Sequence, residues 1–341
     1  MRVIKGERDM VHHGESKSGI VMHDFLCHLD ETFNASSHDL FLDFFKKNKG
    51  ISKWMIFSDY ALNDRNKPND AITFSIFPYT SKFTELSKLI DKISFKDIKS
   101  LKKVNLEFLR FINESEILNI SIIMDKNMKL DPFNERELLK TCYRTALNQI
   151  SFWISNEGEK ENYIRLQKAY KTLLREVSKP GANLRNIRNI EIVSNLIAYI
   201  AFQVCKSVNV DIIGWFSDRD SILNHKKVKF PLPAIFDLAN NLFHNLMLSE
   251  NSGYTERFVF GVPEETGKMW YDSFNRVPDL ISATLADYDY KNNFSSHDKF
   301  VPVIESVLTN RNKCLIYKIY AFSDGFQAGY LSLSRGSGDC Q

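Results

Sequence analysis

Three stretches of this chain end or begin in carboxylates next to apolar runs: residues 53–60 (KWMIFSDY), 210–220 (VDIIGWFSDRD) and 277–287 (VPDLISATLAD). In the first two, the apolar run stops at Ser-Asp, which places Asp59 and Asp218 at the rim of a sheet rather than along a solvated face. Asp218 and Asp220 are two apart and share one side of an extended chain. Asp279 follows Pro278, a residue suited to the first turn of a helix, so Asp279 reads as a helix-opening carboxylate that can also cap. Carboxylates gathered in this way are what a hard divalent cation, Mg²⁺ or Mn²⁺, requires. Two such ions can activate a water and stabilise a leaving oxygen in phosphodiester cleavage. Without a cation the same crowding is costly, because like charges repel and raise one another's pKa. In this reading Asp59, Asp218, Asp220 and Asp279 hold the metal, and Asp125 is a spare candidate. Taken singly, each aspartate is also an ordinary turn or cap residue, common after strands.

The elements that must position these residues can be read from periodicity. Residues 22–45 carry the apolar spacing of one or two short helices, ended by Gly50. Residues 53–58 and 71–79 (AITFSIFPY) flank a turn-rich stretch, NDRNKPND, and read as a β-hairpin with Asp59 just past its first strand. Residues 81–112 have helical spacing with lysines on the polar side, and 117–124 (ILNISIIM) is a third strand. The long helical block spans 134–207. Its first helix is expected to be capped by Asn134 and to run to about residue 155, the second to cover roughly 160–177, and the third about 187–208 after the Pro180-Gly181 break. Strand character returns at 210–217. A helix over 238–248, a strand over 257–262, a helix over 300–308 and a strand over 314–322 follow, then a Gly/Ser-rich tail. The pattern predicts one α/β domain over 51–341, a mixed sheet flanked by helices with a helical insertion at about 134–208, preceded by an arm and helices over 1–50.

The 341 residues carry a formal net charge of +3 with 26% charged side chains, so neither a disordered nor a strongly cationic protein is indicated. A local basic patch remains compatible with nucleic acid. Lys179, Arg185 and Arg188 flank the Pro-Gly break, and Lys226, Lys227 and Lys229 follow FSDRD; beside the acidic residues they would hold a phosphate backbone. The five cysteines are scattered without a CxxC pair, as expected of a reducing compartment. The first residues lack an apolar signal core, and the longest apolar stretch, 192–205, is short for a bilayer, so a cytoplasmic protein is expected. His23, Asp24, Cys27 and His28 could offer zinc a ligand set, but no second pair stands at ligand spacing, and a surface helix is the better reading. The phenylalanines fall mostly at core-like positions. GxxxxGK[ST], GxGxxG and GxSxG motifs do not occur.

The order of these motifs resembles RNase H-like proteins, and most closely the domain-of-unknown-function 3800 family. IFSDYAL stands where that family has an early strand ending YIDESG, SIIMDK where it has a VVIDK-like strand, and VPDLISA where it has a late QLADLIAG-like helix. The resemblance covers roughly residues 50–290. It implies an RNase H-like fold and a metal-dependent, nuclease-like site made of Asp59, Asp218 or Asp220, and Asp279. The chain departs from the pattern at Tyr60, where the family has Glu. That departure and the long helical block leave room for an alternative, a non-catalytic binding or scaffold protein whose helical block meets a partner protein.

Overall fold

A computed structural model describes residues 3–4, 22–94, 98–126, 128–223, 233–250, 257–264 and 266–334. Seven strands form the main sheet: β1 (Lys53–Ala61), β2 (Asn69–Pro78), β3 (Leu118–Asp125), β4 (Ile212–Ser217), β5 (Phe258–Gly261), β6 (Cys314–Phe322) and β7 (Gly325–Leu331). Their spatial order is β7-β6-β3-β2-β1-β4-β5. β1, β2 and β3 form an antiparallel meander, β4 lies parallel to β1, and β5 parallel to β4. On the other edge β6 runs parallel to β3 and turns back into β7. The strand Gly325–Leu331 replaces the first part of the expected Gly/Ser-rich tail. Its side chains alternate Phe326, Ala328 and Tyr330 toward the core, with Gln327 and Gly329 between them, a period-two pattern that Gly325 and Gly329 obscure in the sequence.

The sheet is covered on both faces, so its central strands are buried on both sides. β2 is buried at every position but its last. One face presents Trp54, Ile56, Phe74, Trp215 and Tyr317 to the larger core. That core is roofed by α1 (Asp24–Ser36), α2 (His38–Lys47), α5 (Glu135–Glu157), α6 (Glu161–Val177), α7 (Leu184–Ser207) and α8 (Ala234–Ser249). The first two helices are therefore part of the sheet's own core, with Phe45 against Trp54 at 4.7 Å between ring centroids. The opposite face presents Met55, Phe57, Phe77 and Ile316 to a second core, under α3 (Phe83–Ile93), α4 (Leu106–Glu114), α9 (Asp272–Asp287) and the helical turns of 298–308.

α7 is apolar nearly all round because it is enclosed on all sides. Its 24 residues are long and apolar enough to cross a membrane, longer than the stretch the sequence suggests, but most of it is buried within the protein, as expected of a core helix. Asn183 caps it by accepting from the Asn186 N–H at 3.1 Å. Asn134 does not cap α5 with its side chain. The carboxylate of Asp131 holds that turn instead, accepting from the N–H groups of Phe133 and Asn134 at 2.8 and 2.5 Å.

Pro278 does not open a helix. α9 begins at Asp272, which accepts from the Met269 N–H at 2.8 Å, and Pro278 lies inside it. The expectation failed because 272–276 (DSFNR) gives only a weak apolar signal, whereas the Phe274 ring is fully buried and stacks on Phe57 at 4.9 Å. Asp279 is thus a mid-helix residue, projecting from a fixed face instead of capping an end.

Candidate acidic site

β1 and β4 are adjacent and parallel with Ser58 paired to Ser217, so the residues that follow in each strand emerge side by side. The Asp218 N–H donates to the Ser58 carbonyl at 3.0 Å, which extends the pairing past the strand end. Asp59 faces the second core, where α9 crosses β1 and β2. Its carboxylate accepts from the Ser282 hydroxyl at 2.7 Å. Asp279 lies three residues before Ser282 on the same helical face, and its Oδ2 accepts from the Ile98 N–H at 3.2 Å.

Asp59, Asp218 and Asp279 therefore lie at the same end of the sheet, near enough to act on one another electrostatically. Burial, the Asp279 carboxylate and the Asp218 carboxylate push Asp59 up to about 8, against a smaller pull from the Ser282 hydrogen bond and Lys99. Asp279 is raised by burial and by Asp218, opposed by the Ile98 N–H, Arg276 and Lys99. Asp218 is raised by burial and by Asp272, opposed by Arg219 and Lys99. Burial is the largest cause in each case, and neighbouring carboxylates add to it beyond what the nearby cations and donors offset.

Asp220 is engaged locally. Its Oδ1 accepts from the Ile222 N–H at 2.9 Å and from the Ser221 hydroxyl, so it holds the turn after β4. Asp125 pairs with Lys318 at 3.0 Å. Tyr60 points away from Asp59, as alternation along a strand requires, and its hydroxyl binds Ser58 and Ser217 at 2.7 and 2.8 Å within the larger core. A carboxylate at position 60 would face the same way, so the departure there removes nothing from the group around Asp59.

The strand end that carries Asp218 is fixed by close packing. The Phe216 ring lies across Gly214 and Gly261, where any Cβ would stand within 2.6 and 2.3 Å of its carbons. The same ring contacts Phe57, Trp270 and Tyr271. The other end of α9 is fixed by Asp287, which accepts from Lys67, the Ser295 and Ser296 hydroxyls and the Ser296 N–H. Burial alone would raise Asp287, but these donors outweigh it and hold the carboxyl well below its ordinary range.

Of the basic residues expected to border the site, Arg188 and Lys179 are engaged elsewhere. Arg188 is buried and bonds Glu135 through two contacts of 2.6 Å inside the helical layer. Lys179 pairs with Glu176 at 2.7 Å. Arg185 and Arg188 act electrostatically on Asp70; the next residue, Ala71, packs in the second core, which Asp59 faces, and Asp70's partner in register, Met124, packs in the larger core, so Asp70 faces the opposite side of the sheet from Asp59. Lys226, Lys227 and Lys229 lie outside the described residues. The cations that do act on the carboxylates are Lys99, Arg276 and Arg219. Arg276 and Ser282, at three residues on either side of Asp279, were detectable once the helix was placed correctly; Lys99 carries no local signal.

His23 precedes α1 and pairs with Glu191 at 3.2 Å, and His28 lies beside Asp24 and Glu31. Among the described residues, no group of three His, Cys, Asp or Glu side chains stands close enough to hold a metal ion as placed. No protein-family model, curated protein or solved structure matches the chain.

Proposed function

We propose that this protein is an RNase H-like, divalent-metal-dependent nuclease acting on nucleic-acid phosphodiesters. The observation that carries the reading is that Asp59, Asp218 and Asp279, from two adjacent parallel strands and one crossing helix, lie at one end of the sheet, with Asp59 pushed up to about 8 by burial and the other carboxylates. Supporting it is the sheet order: an antiparallel meander extended by two strands parallel to the first is what an RNase H-like sheet needs.

The donor set fits Mg²⁺ or Mn²⁺ in its chemistry, since every candidate ligand is a carboxylate oxygen. Binding requires the three side chains to draw closer than they stand. When bound, such ions supply an activated water and stabilise the leaving oxygen. The residues of this chain do the rest. Ser282 orients Asp59, the Ile98 N–H orients Asp279, and Lys99 offers positive charge to a phosphate beside them. Because Asp59 holds its proton to about pH 8, cation capture near neutral pH releases that proton.

The test is cleavage of labelled single- and double-stranded oligonucleotides with Mg²⁺ or Mn²⁺. Asp59→Asn is expected to reduce it by more than about a hundredfold, beyond what loss of a supporting hydrogen bond does. Undiminished cleavage by that variant would remove Asp59 from the mechanism. The spacing of the carboxylates favours a second reading, a binding or scaffold protein that keeps the fold without a working site. Divalent-independent binding of nucleic acid or protein without cleavage would select it.

A further inference from the structure

Asp279 has a second neighbour besides the carboxylates. On its far side opens a cavity of about 280 Å³, set between the end of α3, the turn at Ile98–Ser100, the start of α4 and α9. Its walls are mostly apolar, Ile93, Ile98, Leu101, Val104, Phe108 and Leu280, with Ser94 and Asn105 among them. Lys92, Lys103 and Arg276 also line it, and Asp279 is its only carboxylate among the described residues. The turn that separates it from the acidic residues is held firmly. Lys299 donates to the Ile98 and Leu101 carbonyls at 2.8 and 3.1 Å, and the Ile98 N–H is bound to Asp279. The cavity and the acidic site thus share one wall, formed by Ile98 and Asp279.

An apolar floor with cations at its border suits a ligand that is flat and apolar at one end and anionic at the other. The volume lies just below the roughly 300–1,000 Å³ of drug-sized ligand sites, which leaves room for one nucleotide and no more. We propose that this cavity receives a single nucleotide of the substrate strand, its base against the apolar walls and its phosphate at Lys92, Lys103 and Arg276. Charge sets the orientation: the phosphate goes to the cations, and the uncharged sugar faces Asp279. The next phosphodiester, joined through that sugar, then falls beside Asp59, Asp218 and Asp279. The choice of a nucleotide rests on the nuclease reading; the cavity and its charges do not.

The experiment is calorimetric titration of the full chain, without divalent ions, with AMP, dAMP, adenosine and inorganic phosphate. AMP or dAMP is expected to bind more tightly than either adenosine or phosphate alone. Val104→Trp, which fills the cavity, and Lys103→Glu, at an exposed position that leaves the core intact, should each weaken that binding by about tenfold or more. Phosphate binding as tightly as AMP, unchanged binding in Lys103→Glu, or no binding at millimolar mononucleotide would overturn the proposal. Mononucleotide binding that follows this pattern in a protein that neither binds Mg²⁺ nor cleaves would uphold the cavity and reject only the nuclease reading.

Discussion

Asp59 carries the heaviest electrostatic load in the site, and its protonation makes a prediction of known sign. Its carboxyl ordinarily titrates at 3.8 and in the folded protein at about 8. The wild type therefore has its full stability from this group below pH 3.8 and loses it as pH rises toward 8. Asp59→Asn cannot ionise, so without divalent ions it should melt at a higher temperature than wild type at pH 8, and the gap should close near pH 4. Equal melting curves across that range would show that Asp59 is not crowded. Ser282 is the supporting partner of this carboxylate. Ser282→Ala should weaken metal affinity or cleavage by about 10–100-fold, the usual effect of removing a hydrogen bond behind a ligand. A normal rate at saturating Mg²⁺ with normal affinity would leave Ser282 without that role.

The elements behind the site make predictions about stability. Arg188 and Glu135 form a buried pair that joins α7 to α5. Arg188→Ala leaves the Glu135 carboxylate buried with only the Leu130 N–H, at 2.8 Å, to answer it. The expected cost is about 3–5 kcal/mol in chemical denaturation, with nucleic-acid affinity of the folded protein unchanged. A stable variant with weakened nucleic-acid binding would restore Arg188 as a surface contact. Asp287 locks the end of α9 to Lys67 in the β1–β2 turn and to Ser295 and Ser296. Its carboxyl is held below the ordinary 3.8, so its stabilisation is present above that pH and fades as pH falls through and below it. Asp287→Asn should cost about 2–4 kcal/mol at pH 7, with the difference from wild type shrinking in acid. A cost that does not vary with pH would mean the lost contact is not charge-dependent.

At the scale of the whole molecule, the sequence told most where local pattern is strongest. The hairpin around NDRNKPND, the strands at 117–124 and 314–322 and the three helices of 134–207 announce themselves by periodicity, and the structure has all of them. What failed were features that depend on distant partners. Pro278 suggests a helix start, but tertiary packing of Phe274 begins α9 at Asp272. The basic residues at 185 and 188 suggest a surface, but Glu135, far off in sequence, draws Arg188 inside. Asp59 and Asp218 stood out in the sequence because each follows an apolar run closed by Ser, although the first strand continues past Asp59 to Ala61; Asp220, two residues beyond Asp218, holds a turn. That β1 lies beside β4, which brings the first two together, is a fact of topology that no local window contains.

The central claim is that Asp59, Asp218 and Asp279 form one cation site. The most direct measurement is calorimetric titration of Mg²⁺ and Mn²⁺ into the wild type and the Asp59→Asn, Asp218→Asn double variant, at pH 7 and pH 8. The account predicts binding by the wild type that strengthens with pH as the Asp59 proton becomes easier to displace, and no binding by the double variant. No binding by the wild type at millimolar metal, or equal binding by the two proteins, would contradict it.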